Sequence, residues 1–154
     1  MKRILLTGMS GVGKSTSIQQ LRLLGYQAID MDEAGWSVMS DDGDWIWNDA
    51  RIDALLDSVK EDDVLFVSGC AENQGQYCPR FEKVILLSAP EDVIIHRLTT
   101  RTTNSYGKDP SELAETLDYI KTIEPLLRQG ADHEIVTTIP IEDVIKTILK
   151  IVND

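Results

Sequence analysis

A chain of 154 residues is the size of one ordinary domain, and its 42% hydrophobic and 27% charged residues exclude intrinsic disorder. With 26 acidic residues against 15 basic and a net charge of -11, a polynucleotide or an anionic membrane surface is excluded as a partner, although a few placed arginines can still hold a small anion. No apolar run approaches the roughly 20 residues that span a bilayer. The apolar stretch in the opening MKRILLTGM is shorter than the roughly seven to fifteen residues of an export signal. Cys70 and Cys78 lack metal-ligand spacing and read as reduced thiols; with only His96 and His133 beside them, no zinc site is expected. The expected location is the cytoplasm.

The elements alternate along the chain. RILLT (3–7) reads as a buried strand and runs into a glycine loop, after which KSTSIQQLRLLG (14–25) has helical apolar spacing and a terminating glycine. A second strand is predicted over 26–30, and a helix over 44–59 whose cap lies among the preceding Asp and Gly residues. Strands follow at 63–69 and 82–89, then a helix over 90–101 and a polar, turn-rich segment at 102–110. Ser111 is expected to cap a long helix reaching about Gln129, with Glu112 and Glu115 favouring its positive end. A fifth strand (133–138) and a closing helix (141–152) complete the chain. Nearly continuous apolar strands between amphipathic helices imply an α/β fold: a single domain over 1–154 with a parallel sheet covered on both faces. No repeat, linker or low-complexity segment interrupts it.

The stretch GMSGVGKS (8–15) fits G-x-x-x-x-G-K-[ST], with a strand before it and a helix after it. Gly8, Gly11 and Gly13 let backbone amides approach phosphate oxygens, and Val12 and Thr16 complete the cradle. Lys14 is expected to bridge the β- and γ-phosphates and Ser15 to bind Mg²⁺. The predicted ligands are thus ATP and Mg²⁺, with GTP not distinguished. Kinases, GTPases and mechanical ATPases share such a loop. The third and fourth strands end without the Asp of a Walker B strand, so the carboxylates for a cation are sought in IDMD, at Asp30 and Asp32. Two apart on an extended segment, these share one side: one for a metal-bound water, the other for an acceptor hydroxyl.

TGMSGVGKST and LGYQAIDMDE resemble the opening of the small P-loop kinases of the shikimate kinase and adenylate kinase superfamily, the shikimate kinase branch above all. The resemblance continues through VILLSAPEDVIIHRLTTR and EPLLRQGADHEIVTT and so covers most of the chain. It implies a five-stranded parallel sheet of order 2-3-1-4-5 with a short lid, here about 102–110. It makes Asp30 the ligand of a magnesium-bound water and Asp32 the acceptor-facing carboxylate. Arg97 is expected on the adenine and Arg101 on the phosphates, with Lys108 as a further phosphate contact. Pro140 either wraps the adenine or opens the last helix.

The acceptor is harder to read. The three-glycine motif that contacts the acceptor in shikimate kinases corresponds here to Ser68-Gly69-Cys70, and the acceptor arginine before the Pro-Leu pair of the late helix corresponds to Ile123. Arg51 matches the earlier acceptor arginine, without the glutamate three residues on, where Ala54 stands. Candidate acceptor contacts are Asp32, Trp36, Arg51, Gly69 and Arg80, and the clustering of Trp36, Trp45 and Trp47 favours a nucleoside or nucleotide. The expected function is an ATP-dependent kinase for a small acceptor, with Lys14, Asp32 and Arg101 catalytic. Alternatives are a shikimate or sugar-acid kinase, a nucleotide-hydrolysing switch or assembly factor, and a binding module without turnover. The oligomeric state is left open, a monomer being compatible.

Overall fold

The computed structural model describes residues 1–102 and 104–154. Five strands form one sheet: β1 (Lys2–Thr7), β2 (Gln27–Asp30), β5 (Val64–Ser68), β6 (Lys83–Ser88) and β7 (His133–Val136). Their spatial order is β2-β5-β1-β6-β7, and every neighbouring pair is parallel, as expected. The remaining pair, β3 (Ser37–Met39) and β4 (Trp45–Trp47), is a separate antiparallel hairpin.

Helices cover both faces because the strands are apolar on both. On one face α1 (Lys14–Leu23), α3 (Glu91–Thr100) and α6 (Ile141–Asn153) pack Ile18, Leu21, Ile94, Leu98, Val144 and Ile148 against Ile4, Leu6, Phe66, Ile85 and Leu87. On the other, α2 (Asp49–Asp57) and the turns around Tyr77 and Phe81 bury Leu5, Leu65 and Val67. In α6, buried residues at 144, 145, 148, 151 and 152 form one helical stripe. Each such side chain contributes about 1.5–3 kcal/mol of transfer free energy before its entropy cost. The Lys2 and Lys83 ammonium groups donate to the Val152 and Ile151 carbonyls, capping the negative end of α6.

The strands end differently from how they run. Thr7, Asp30, Ser68 and Ser88 are the last residues of β1, β2, β5 and β6, and all four are buried. Polar groups therefore collect at the carboxyl end of the sheet, where the chain order reverses about β1; ligands of open α/β sheets bind there.

Two predicted helices differ from the structure. The segment 44–59 does not begin as a helix: Trp45–Trp47 pairs with Ser37–Met39, closed by a turn in which Ser40 N–H donates to the Asp44 carbonyl and Gly43 takes φ 84°. Helix α2 starts only at Asp49, where the Asn48 side chain accepts from the Arg51 amide, a cap of about 1 kcal/mol. The long late helix is two, α4 (Pro110–Thr122) and α5 (Glu124–Gly130). Pro125 cannot donate to the preceding turn, so the chain restarts at Glu124. The cap of α4 is Asp109 rather than Ser111: its carboxylate accepts from the Ser111 amide, and Pro110 fills the first helical position.

Candidate active site

The glycine loop leaves β1 and enters α1 without a side-chain cap. Gly13 occupies the N-cap position with φ 98°, and Gly11 has φ 87°. A Cβ on Gly8 would lie 2.3 Å from the Leu87 carbonyl oxygen, so β6 itself excludes any larger residue there. Val12 is fully buried and anchors the loop from below. Lys14 folds back over the loop, its ammonium donating to the Gly8 and Met9 carbonyls, the latter at 3.0 Å. Burial lowers its pKa, a shift opposed by the nearby Cys70, Asp32 and Asp30.

Asp30 and Asp32 share a side, but not through strand alternation. β2 stops at Asp30, and Asp32 lies in a turn whose amide donates to Asp30 Oδ1 at 2.9 Å. The other oxygen, Oδ2, accepts from the Ser15 hydroxyl at 2.6 Å. Asp30, only 8% exposed, is thereby joined to the loop serine. Burial raises the pKa of Asp32, Lys14 opposing the shift and Asp30 adding to it.

Two cavities meet at Asp32. One, of about 450 Å³, is lined by Gly11, Gly13, Lys14, Ser15 and Thr16 of the loop, by Arg97, Arg101 and Asn104, and by Thr137, Ile139 and Ile141 of the β7–α6 turn. Arg97 donates to the Gly11 carbonyl and, through both terminal nitrogens, to Thr137, whose hydroxyl donates to the Val12 carbonyl. Arg101 donates to the Tyr106 carbonyl at 2.6 Å, while its buried Nε has no partner among the described residues. Pro140 does not line this cavity. Its carbonyl accepts from Asp143 and Val144 at the start of α6, and Ile139 and Ile141 supply the apolar wall expected of it.

The expected lid, 102–110, includes Thr103, which lies outside the described residues. Its second half is tied down: Tyr106 donates its hydroxyl to Glu115, the Gly107 amide donates to Glu112, and Gly107 packs against Leu98. Lys108 does not line the cavity.

The other cavity, of about 380 Å³, is lined by Asp32, Glu33, Ser37, Trp45, Trp47 and Cys70 with the small residues between them. Because Trp45 and Trp47 lie two apart on a strand, both reach it; a helix would have separated them. Trp47 is 1% exposed and also packs on Tyr77, so it is at once core and wall, whereas Trp45 is 65% exposed. Four of the five expected acceptor contacts fall outside; only Asp32 lines it. Trp36 lies under the Arg51 guanidinium, 4.1 Å from its ring centroid, and Arg51 rests against Gly35 without lining the cavity. Arg80 is bound to Asp53 and Asp57 of α2. Gly69 lies behind the wall, where a Cβ would meet the Trp47 ring at 3.0 Å. Sequence reasoning missed Ser37, Cys70 and the joint role of the two tryptophans; the Asp-Gly pair between SVM and WIW was the available hairpin signal.

The fold is shared with solved kinases. A shikimate kinase from Acinetobacter baumannii in complex with shikimate aligns with TM-score 0.68 and 22% identity, covering 99% of this chain and 93% of that one. A shikimate kinase from Bacteroides thetaiotaomicron gives 0.66 and 20%, with 99% of both chains covered. A gluconokinase from Sinorhizobium meliloti 1021 gives 0.61 and 16%, covering 99% and 94%. No curated protein matches the sequence. Among the described residues no helix is long and apolar enough to cross a membrane. The AAA domain family profile matches residues 4–118, which take in the glycine loop, Asp30, Asp32, Arg97 and Arg101, and the chain belongs to that family.

Proposed function

We propose that the protein is an ATP-dependent phosphotransferase that moves the γ-phosphoryl group onto a hydroxyl of a small acceptor. The observation that carries the reading is Asp32, shared by the loop-lined cavity and its aromatic neighbour. A carboxylate at that junction can face donor and acceptor at once. The kinase structures that share the fold, named for shikimate and gluconate, support the same reaction class.

The residues suit Mg-ATP. The first turn of α1 has no side-chain cap, so its amides remain available to phosphate oxygens. The Lys14 ammonium is held by carbonyls that phosphate oxygens can replace. A hydroxyl joined to a carboxylate, Ser15 to Asp30, is a hard-oxygen pair suited to Mg²⁺ and its water. Among the described residues no three His, Cys, Asp or Glu side chains converge on one point, so a bound cation would draw its other ligands from phosphate and water. When bound, Mg-ATP supplies the phosphoryl group and part of the charge neutralisation.

In the proposed mechanism the chain mostly positions and neutralises. Lys14 and the loop amides hold the terminal phosphates, and Arg101 directs its guanidinium at them. Arg97 braces the loop against the β7–α6 turn and offers a planar face, beside Ile139 and Ile141, to the adenine. Asp32 orients the acceptor hydroxyl and takes its proton as the new O–P bond forms and the bond from the γ-phosphorus to the bridging oxygen breaks, leaving ADP. Its raised pKa makes it a better proton acceptor than an ordinary carboxylate. The tryptophan wall favours a nucleoside or nucleotide as acceptor. Ser68 ends β5, where a hydrolytic P-loop ATPase would carry its Walker B Asp, and this argues for transfer rather than hydrolysis. The test is ADP release with and without acceptors: acceptor-dependent release is expected, and release indifferent to acceptors would overturn the reading.

A further inference from the structure

The aromatic cavity has a charge as well as a shape, and the next step rests on the phosphotransferase reading. Two of its lining residues are carboxylates, Asp32 and Glu33, and none is basic. Its rim is acidic too. The residue before Trp45 is Asp44 and the residue after Ala71 is Glu72. The Asp44 and Glu72 carboxyls lie against each other with Asp42 close by, crowding that pushes the Glu72 pKa up. The nearby cations are otherwise engaged: Arg22 with Glu33, Arg80 with Asp53 and Asp57, and Arg51 across the Trp36 ring. Lys14 faces the loop carbonyls. What remains for a ligand is the exposed ring of Trp45, the edge of Trp47 and the Ser37 hydroxyl oxygen as an acceptor, its proton being donated to the Met31 carbonyl. The backbone N–H and C=O of Trp47 are both bonded to the Asn73 side-chain amide, and its indole nitrogen is turned toward Gly69 behind the wall.

We infer that the acceptor carries no anionic group: it is an uncharged or cationic ring compound, laid against Trp45, whose reacting hydroxyl bonds Asp32. A ring face matches the indole of Trp45, ligand hydroxyls can donate to Asp32 and to the Ser37 oxygen, and a carboxylate or phosphate would face two carboxylates and an acidic rim with no basic residue in the lining. This separates the protein from the shikimate and gluconate kinases that share its fold, and selects nucleosides over nucleotides.

Binding tests it independently of turnover. Tryptophan fluorescence of the full chain, with Mg²⁺ and a non-transferable ATP analogue, would be titrated with matched pairs: adenosine and AMP, methyl shikimate and shikimate, glucose and gluconate. Glucosamine serves as the cationic arm. The uncharged or cationic member of at least one pair is expected to bind at least about tenfold more tightly than its anionic partner. Reversing the rim charge in Asp44→Lys/Glu72→Lys should shrink that gap. Anionic members that bind equally well or better, a gap that the reversal leaves unchanged, or no response from any compound would each overturn the inference. ADP release with the tightest binder then judges the phosphotransfer reading separately. Binding in the expected order without phosphorylated product would sink that reading and leave the charge selection standing.

Discussion

The two cavities that meet at Asp32 are built from different materials. The loop side is mostly backbone: three glycines, the uncapped turn of α1, and a lysine and an arginine held on carbonyl oxygens. The neighbouring side is mostly side chains, in part carried on a hairpin of two three-residue strands that pairs with no strand of the main sheet. One side gathers positive charge and amide donors; the other gathers carboxylates and indoles. A backbone cradle is fixed by the sheet and tolerates little change, whereas the exposed part of the wall, Trp45, can be changed without disturbing the core to which Trp47 belongs. Donor and acceptor recognition can therefore be broken independently.

The largest effect should come from the loop. Lys14→Ala is expected to reduce turnover by about 10²–10³-fold or more while circular dichroism and the melting temperature stay close to the parent. Unchanged turnover would end the account of the loop side. At the junction, Asp32→Asn should remove acceptor-stimulated turnover by about 10²–10⁴-fold and leave ATP-analogue binding intact. The pH dependence follows from the same residue. Its raised pKa means that the active, ionised form is lost as pH falls, at a higher pH than for an ordinary carboxylate near 3.9. The acceptor-dependent rate should rise with pH through that pKa, and Asp32→Asn should abolish the limb.

Smaller effects separate the two sides. Asp30→Asn, which weakens the group bonded to Ser15, should raise the Mg²⁺ needed for half-maximal rate by about 10–100-fold, with the acceptor KM unmoved. Trp45→Ala should do the reverse, raising the acceptor KM about tenfold with little change in kcat or in ATP affinity. Arg80→Ala should leave both KM values alone and reduce stability by no more than the loss of two partly exposed ion pairs, about 0.2–1 kcal/mol each, read from urea unfolding.

The difference in materials also explains what could be read from the sequence. Parallel strands and glycine loops have local signatures: continuous apolar runs, and residues whose φ or missing Cβ is indispensable. The parallel strands and the Gly8–Ser15 loop were accordingly legible, while the sheet order followed from the resemblance to the small P-loop kinases. The hairpin was misread because WIW followed by DARIDALL satisfies helical spacing, and only Asp42-Gly43 marks the turn. A helix there would put Trp45 and Trp47 on different faces, whereas the strand brings both to the cavity that Trp36 does not line. Arg80 could not be discounted from sequence, because its partners Asp53 and Asp57 become its neighbours only once α2 packs beside the turn after β5. Pro125 was a visible reason to break the late helix, but the apolar spacing on either side of it runs on without interruption.

The most direct test of the account is ADP release by the purified protein in Mg-ATP, measured with nucleosides, nucleoside monophosphates, shikimate, gluconate and no acceptor, the Asp32→Asn variant run in parallel. The account predicts release that is nearly silent alone, rises strongly with one acceptor class, and loses that rise in the variant while phosphorylated acceptor disappears with it. Equal release with every acceptor and with none, in both proteins, would contradict it.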